Sequence, residues 1–280
     1  MKFNRDARRR WLNWTVSVLC LLCVVVALIP LGSILYTAAT LGGRSLSWHF
    51  LTAPQVNGGI GNAIEGTLIL IGLGALVAGP VGVGVGIYLC EFGRGRVGRL
   101  VSFLTDVMTG FPSIVVGVFV YTVFTLFIPS VGFSAVSGAA ALAIIMVPVV
   151  ARTTEEGLRL VPNTIREAAY ALGIPRYRTV LRVVLSAARG AVLTGALLSV
   201  MRAGGETAPL LLTAFGNPFG FAGLTQPVQA LGPLIYFDGI SPFPYQVNAA
   251  WGAALVLILM MLLISLGARV ALRQRLGGRI

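Results

Sequence analysis

A single lysine, Lys2, and a single histidine, His49, stand in a chain of 280 residues that also has only three cysteines and nine acidic residues. Each scarcity removes a class of function. A phosphate-binding loop of the G-x-x-x-x-G-K-[ST] kind needs an internal lysine, so this chain holds no such ATP site. One histidine excludes a histidine-rich metal site within the chain. Cys20 and Cys23 have the C-x-x-C spacing, but they lie in an apolar run with no His or carboxylate beside them, and Cys90 is distant; all three read as packing residues. No nucleophile, base or metal cluster stands out, so nothing points to an enzyme. Charged residues make up only 11% of the chain, against 56% hydrophobic, which is outside the range of soluble globular domains.

What is present is apolar sequence in long runs. Stretches near 15–38, 64–90, 103–128, 133–151, 190–214 and 249–270 approach or exceed the ~20 residues needed to cross the hydrocarbon core of a bilayer. They are continuous rather than alternating, which favours helices over a barrel, and a helix satisfies its own backbone in lipid. The fold class is therefore an all-α integral membrane protein with six transmembrane helices. The run from Thr15 to Ala39 exceeds the core of a cleaved signal peptide and reads as a retained first helix.

Orientation follows from the basic residues. Lys2, Arg5, Arg8, Arg9 and Arg10 precede the first run, and Arg94, Arg96 and Arg99 follow the second. Seven arginines from Arg152 to Arg189 follow the fourth, and Arg269, Arg273, Arg275 and Arg279 follow the sixth. Nineteen of the 21 basic residues thus share one side, which assigns both termini to the cytoplasm. The net charge of +12 is mostly this topology signal; no separate basic domain is left to bind nucleic acid.

Local patterns add detail. Gly74, Ala78, Gly82 and Gly86 form a four-residue stripe along the second run, the small-residue packing that lets two membrane helices approach closely. After Pro162, Thr164 and Glu167 have capping-box spacing, and Ile165, Ala168, Ala169 and Leu172 fall on one helical face, with Gly173 and Pro175 as stop and restart. A short amphipathic helix is predicted there, compatible with a docking element or a passive interfacial connector.

"EAAYALGIPRYRTVLRVVLS" resembles the EAA loop of permease subunits of ATP-binding-cassette importers. Glu167, Ala168, Ala169 and Gly173 match, and Val183 and Leu185 stand at its apolar positions; Ser186 replaces the usual Pro, which bears on the break before the fifth span. "GGIGNAIEGTLIL", "DVMTGFPSIVVGVFVY", "PVVARTTEEGLRLVP" and "RAGGETAPLLLTA" together resemble the PstA-type phosphate permeases over roughly residues 57–215.

The resemblance implies a type I importer fold, with residues 1–14 as a cytoplasmic arm, 15–280 as one permease domain and an EAA-type coupling loop at about 152–189. It gives Thr164, Glu167, Ala168, Ala169 and Gly173 to contact with the ATPase. It further implies a bacterial inner membrane, a PstC-like second permease, two PstB-like ATPase subunits carrying ATP and Mg, and a PstS-like external phosphate-binding protein. No cofactor is expected in this chain. Sulfate, molybdate and phosphonate permeases share much of the loop motif, so another oxyanion is the alternative substrate. An ion-coupled secondary transporter would usually show an inverted repeat, and none is visible.

"LLSVMRAGGETAPLLLTA", residues 197–214, places charge inside an apolar run. Gly195, Ser199, Arg202, Glu206 and Thr213 recur at spacings that can share one helical face. A charge at the bilayer centre costs about 2.5–3.5 kcal/mol even on lenient scales, which makes Arg202 a functional candidate by default. Its planar fork suits phosphate, and Gly204, Gly205 and Pro209 weaken the helix so that a restart near Thr207 could aim backbone donors at an anion. Arg202 and Glu206 could equally pair as a packing staple. The pathway candidates are Ser199, Arg202, Glu206 and Thr207. Ser102, Asp106, Thr109 and Ser113 make a second polar face with a kink expected at Pro112, Asp106 lying at the cytoplasmic mouth or the interface; Glu65 is a helix-terminal charge or a pathway residue. The proline-rich stretch from Gly216 to Asn248 cannot form a long helix and is a candidate contact for an external protein.

Overall fold

The second and fourth apolar runs form the frame of the molecule. In the computed structural model, which describes residues 3–93 and 95–277, they are helices α2 (Gly61–Ile87) and α5 (Ala135–Arg159). Lys2, Arg94 and Arg279 of the topology pattern lie outside the described residues, as do the side chains of Arg5, Arg273 and Arg275.

The small-residue stripe is what brings α2 and α5 together. Gly74, Ala78, Gly82 and Gly86 are all buried. A Cβ built at Gly82 would lie 2.6 Å from Val150 Cβ, and one at Gly86 would lie 2.6 Å from the Ala151 carbonyl oxygen. Hydrophobicity does not drive helices together in lipid, so this close backbone approach supplies the packing. Ser134 caps α5 by accepting a hydrogen bond from Ser137 N at 3.0 Å.

The other helices longer than five residues among the described residues, π-helical segments aside, are α1 (Phe3–Thr37), α3 (Arg96–Gly110), α4 (Ser113–Phe127), α6 (Asn163–Ala171), α7 (Arg189–Gly204), α8 (Leu231–Gly239) and α9 (Pro244–Gly277). Leu70, Leu142, Met146, Ala203, Leu210 and Met261 form the largest apolar cluster, joining α2, α5, α7 and α9. The whole apolar window of α1 is exposed, and Cys20 and Cys23 are exposed on it. Any packing they take part in is not with the buried core of this chain.

Two of the six expected spans are not straight. The third divides into α3 and α4, which meet at 108°, a break rather than a kink. Phe111, forced toward extended geometry by the following proline, sits at φ −71° and ψ 135°, and Pro112 caps the new helix. The fifth pairs α7 with the preceding stretch Arg176–Ala187, the two meeting at 70°. Ala188 turns the chain there, so the break is present although Ser186 replaces proline. Among the described residues, four helices are long and apolar enough to cross a membrane unaided, and there are up to six spans if each bent pair counts as one.

The connection after Leu211 is tied to the start of α5 by backbone bonds. Ser134 N, Ala135 N and Val136 N, which have no partner within α5, donate to the carbonyls of Thr213, Gln226 and Leu224. The proline-rich stretch contains the nine-residue α8, and α9 begins at Pro244, before the expected boundary at Asn248.

Candidate functional site

The EAA-like segment folds as a short helix between two turns. Pro162, at φ −59° and ψ 141°, is the cap of α6, so the helix starts at Asn163 and Thr164 is its second residue. The expected Thr164–Glu167 capping box therefore does not form: no side chain caps this end. The other end follows the sequence reading closely. Gly173 adopts φ +73°, its N–H donates to Tyr170 O at 2.9 Å, and Ile174 N donates to Ala169 O at 3.1 Å. This pair of bonds is the Schellman termination, which favours glycine at the left-handed position.

The expected apolar face is split. Ile165 and Ala169 turn inward, whereas Ala168 and Leu172 are exposed, Leu172 by 80%. Thr164, Glu167, Ala168 and Leu172 therefore form an outward surface of mixed chemistry, while Ala169 and Gly173 shape the helix that presents it. The apolar residues it leaves exposed are available to a partner or to the lipid surface.

Charged side chains that the sequence did not pair gather where α3 meets the C-terminal part of α5. Arg152 contacts Asp106 at 2.5 Å and Glu155 at 2.6 Å, and donates to the carbonyl and hydroxyl of Ser102 at 2.8 Å each. Arg159 closes the network on Glu155 at 2.6 Å. Asp106 and Ser102 were visible as a polar face; the missed signal was the three- and four-residue spacing of Arg152, Glu155 and Arg159, which places them on one face of a helix. A second unforeseen pair, Arg166 with Glu91, lies at 2.7 Å beside α6.

The pathway candidates are only partly brought together. Arg202 Nε lies 3.7 Å from Glu206 Oε1, with side-chain exposures of 40% and 17%. That distance allows attraction but is too long for a hydrogen bond. Among the described residues the Arg202 guanidinium makes no hydrogen bond. Ser199 is buried, and its hydroxyl donates back to Ala196 O at 2.7 Å. Because α7 ends at Gly204, Glu206 and Thr213 do not continue its face, and Thr213 is buried with its hydroxyl on Pro209 O. The restart after Thr207 is one turn, Ala208–Leu211, whose Pro209 has no N–H. It does not offer the row of donors that a full helix would. Glu65 is exposed in the second turn of α2.

The chain can be compared with known proteins on these features. A profile of the family described as "Binding-protein-dependent transport system inner membrane component" matches residues 78–274. The phosphate transport system permease protein PstA of Haemophilus influenzae is 38% identical over 98% of this chain and 100% of its own length. PstA of Xylella fastidiosa is 43% identical over 78% of this chain and 76% of its own, and PstA 1 of Mycobacterium tuberculosis is 40% identical over 96% and 92%. Among solved structures, a chain of an inward-facing MetNI methionine ABC transporter superposes with a TM-score of 0.59 at 19% identity, covering 76% of this chain and 95% of that one. A chain of an amino acid ABC transporter gives 0.54 at 19% identity, covering 76% and 94%. At that identity the structural likeness speaks to the fold alone, and it is the fold the resemblance implied.

Proposed function

The chain belongs to the family of inner membrane components of binding-protein-dependent transport systems, and from that premise we propose that it is the permease through which an ATP-driven importer moves inorganic phosphate into the cytoplasm. Relatives named as phosphate permeases match almost the full length, and this is the observation that carries the substrate. They favour phosphate over the other oxyanions.

The permease needs partners for what its own residues lack. A second, PstC-like permease would complete the pathway, two PstB-like ATPase subunits would bind ATP and Mg, and a PstS-like protein would deliver phosphate from outside. Both termini then lie in the cytoplasm, with the ATPases. The outward surface of α6 supports docking to an ATPase, and the exposed Phe219, Tyr236, Phe237 and Ile240 around α8 support an external contact.

In the transport cycle, ATPase closure pulls α6. Thr164, Glu167 and Ala168 meet the ATPase, Ala169 seats the helix on the membrane domain, and Gly173 fixes its exit. At the membrane level, Arg202 attracts the anion and offers its donor fork, and Glu206 holds the guanidinium in place without consuming its hydrogen bonds. Thr207 supplies a hydroxyl beside them. Ser199 lies one turn behind and acts through packing in the conformation seen here.

Docking is tested directly on α6. Glu167→Arg reverses a charge on the outward surface, and Gly173→Val forces a β-branched residue into left-handed geometry at a cost of about 1–2 kcal/mol. Both are expected to reduce ATPase co-purified with the permease at least ~10-fold, the equivalent of about 1.4 kcal/mol of binding. Undiminished co-purification with normal transport in both variants removes α6 from the ATPase interface.

A further inference from the structure

We propose that the buried pair Arg166–Glu91 is a clasp that fastens the docking helix to the inner end of α2, making α2 a rod that carries ATPase movement to the outer loop. The proposal rests on α6 being the ATPase dock. In sequence α6 is joined only to α5 and to the stretch leading into α7; α2 lies some seventy residues earlier. The side chains supply a direct link that the chain itself lacks.

Arg166 is on α6, and Glu91 is in the π-helical turn Tyr88–Phe92 that continues α2. Arg166 Nε and Nη2 reach Glu91 Oε1 at 3.1 and 2.7 Å, and its remaining donors reach Val161 O at 2.6 Å and Leu158 O at 2.9 Å at the end of α5. The side chains are only 13% and 8% exposed. Arg176, just past α6, donates to the backbone carbonyl of Glu91 and lies 4.8 Å from the Phe92 ring centre. Arg166 on α6 and Arg176 just past it therefore both close on the turn that continues α2, sharing Glu91.

Around this pair is an apolar joint in which Ile87 and Cys90 of the α2 end pack against Leu158, Val161, Ile165 and Val184. An apolar joint alone resists separation but permits sliding, because dispersion contacts have no direction. A buried charge pair is seldom retained for stability, since well-packed apolar residues do as well; its distinct property is a fixed register. Three fixed acceptors around one planar guanidinium define such a register.

The far end of α2 is hooked as well. Thr67 Oγ accepts from Leu231 N at 2.9 Å, at the start of α8, and Asn62 Nδ2 donates to Asn217 O at 2.7 Å in the outer loop. Between the two ends the small-residue stripe locks α2 along α5. Glu91 and Arg166 are thus positioning residues for a movement that begins at the ATPase and ends where an external protein would land.

The test is made on the assembled importer in proteoliposomes, with Glu91→Gln and Arg166→Gln measured beside the parent. Labelled phosphate taken up and ATP hydrolysed are recorded per assembled complex. The expected result is retained ATPase association and hydrolysis with phosphate moved per ATP lowered about tenfold, partly restored in Arg166→Lys. A merely structural role would lower the yield of complex and leave that ratio alone. An unchanged ratio in both Gln variants overturns the clasp, and so does loss of the ATPase subunits from both, which would make the pair a prop for the docking surface. Failure of the parent complex to hold an ATPase or to move phosphate would instead strike the proposed function.

Discussion

Arg202→Gln is expected to lower phosphate uptake at least ~100-fold, about 2.7 kcal/mol of lost stabilisation, in a transporter that still assembles and still hydrolyses ATP. The expectation comes from what surrounds the guanidinium. It is partly exposed at the end of α7, and its ion-pair neighbour among the described residues, Glu206, lies 3.7 Å away, outside hydrogen-bonding range. A packing staple would be close and bonded, like the Arg152 contacts at 2.5–2.8 Å in the same chain. Glutamine keeps the size of the side chain and some donors but loses the charge, so it separates attraction of an anion from simple filling of space. Arg202→Lys keeps the charge without the planar fork and is expected to fall between the two. Uptake by a properly inserted Arg202→Gln complex at the parent rate removes Arg202 from the pathway.

Gly86→Val is expected to remove most folded protein from the membrane. The Cβ it adds would lie 2.6 Å from the Ala151 carbonyl oxygen and 2.7 Å from Thr154 Cβ. One of these is backbone inside α5, so no rotamer change relieves the clash; the helices must part, and the stripe above loses contact with them. Overpacking of this kind costs about 1–3 kcal/mol even in cores that can adjust. A fall of about tenfold in monodisperse detergent-extracted protein corresponds to ~1.4 kcal/mol and is the expected outcome. Gly72→Ala on the same helix meets nothing within 4 Å and is expected to leave the yield unchanged. Equal yields for the two would deny that the stripe is the packing surface.

The stripe was legible because its signal is local: small residues at four-residue spacing can be counted along one helix, and all four are buried in the structure. The same holds for Gly173, whose left-handed turn follows from the helix stop that the sequence shows. The breaks were harder to place. Pro112 announced a disturbance, but whether a chain bends a little or by 108° depends on what α4 packs against, Val116 and Val120 on Ala141 and Ile145. The helix starts two residues earlier than the capping-box reading places it because Pro162, not Thr164, takes the capping position. The ion pairs were not legible in full. Glu91 and Arg166 stand 75 residues apart, and nothing in the periodicity of either helix names the other. Arg202 and Glu206 were readable as neighbours, but their common face with Thr213 was not real, since Gly204 ends the helix between them.

The most direct measurement is labelled phosphate uptake into proteoliposomes that contain this chain with the proposed second permease, ATPase and external binding protein, run with and without ATP and with excess sulfate. Uptake that requires ATP and persists in sulfate is the expected result. Uptake that continues without ATP, or that sulfate suppresses as fully as unlabelled phosphate does, contradicts an ATP-driven phosphate importer.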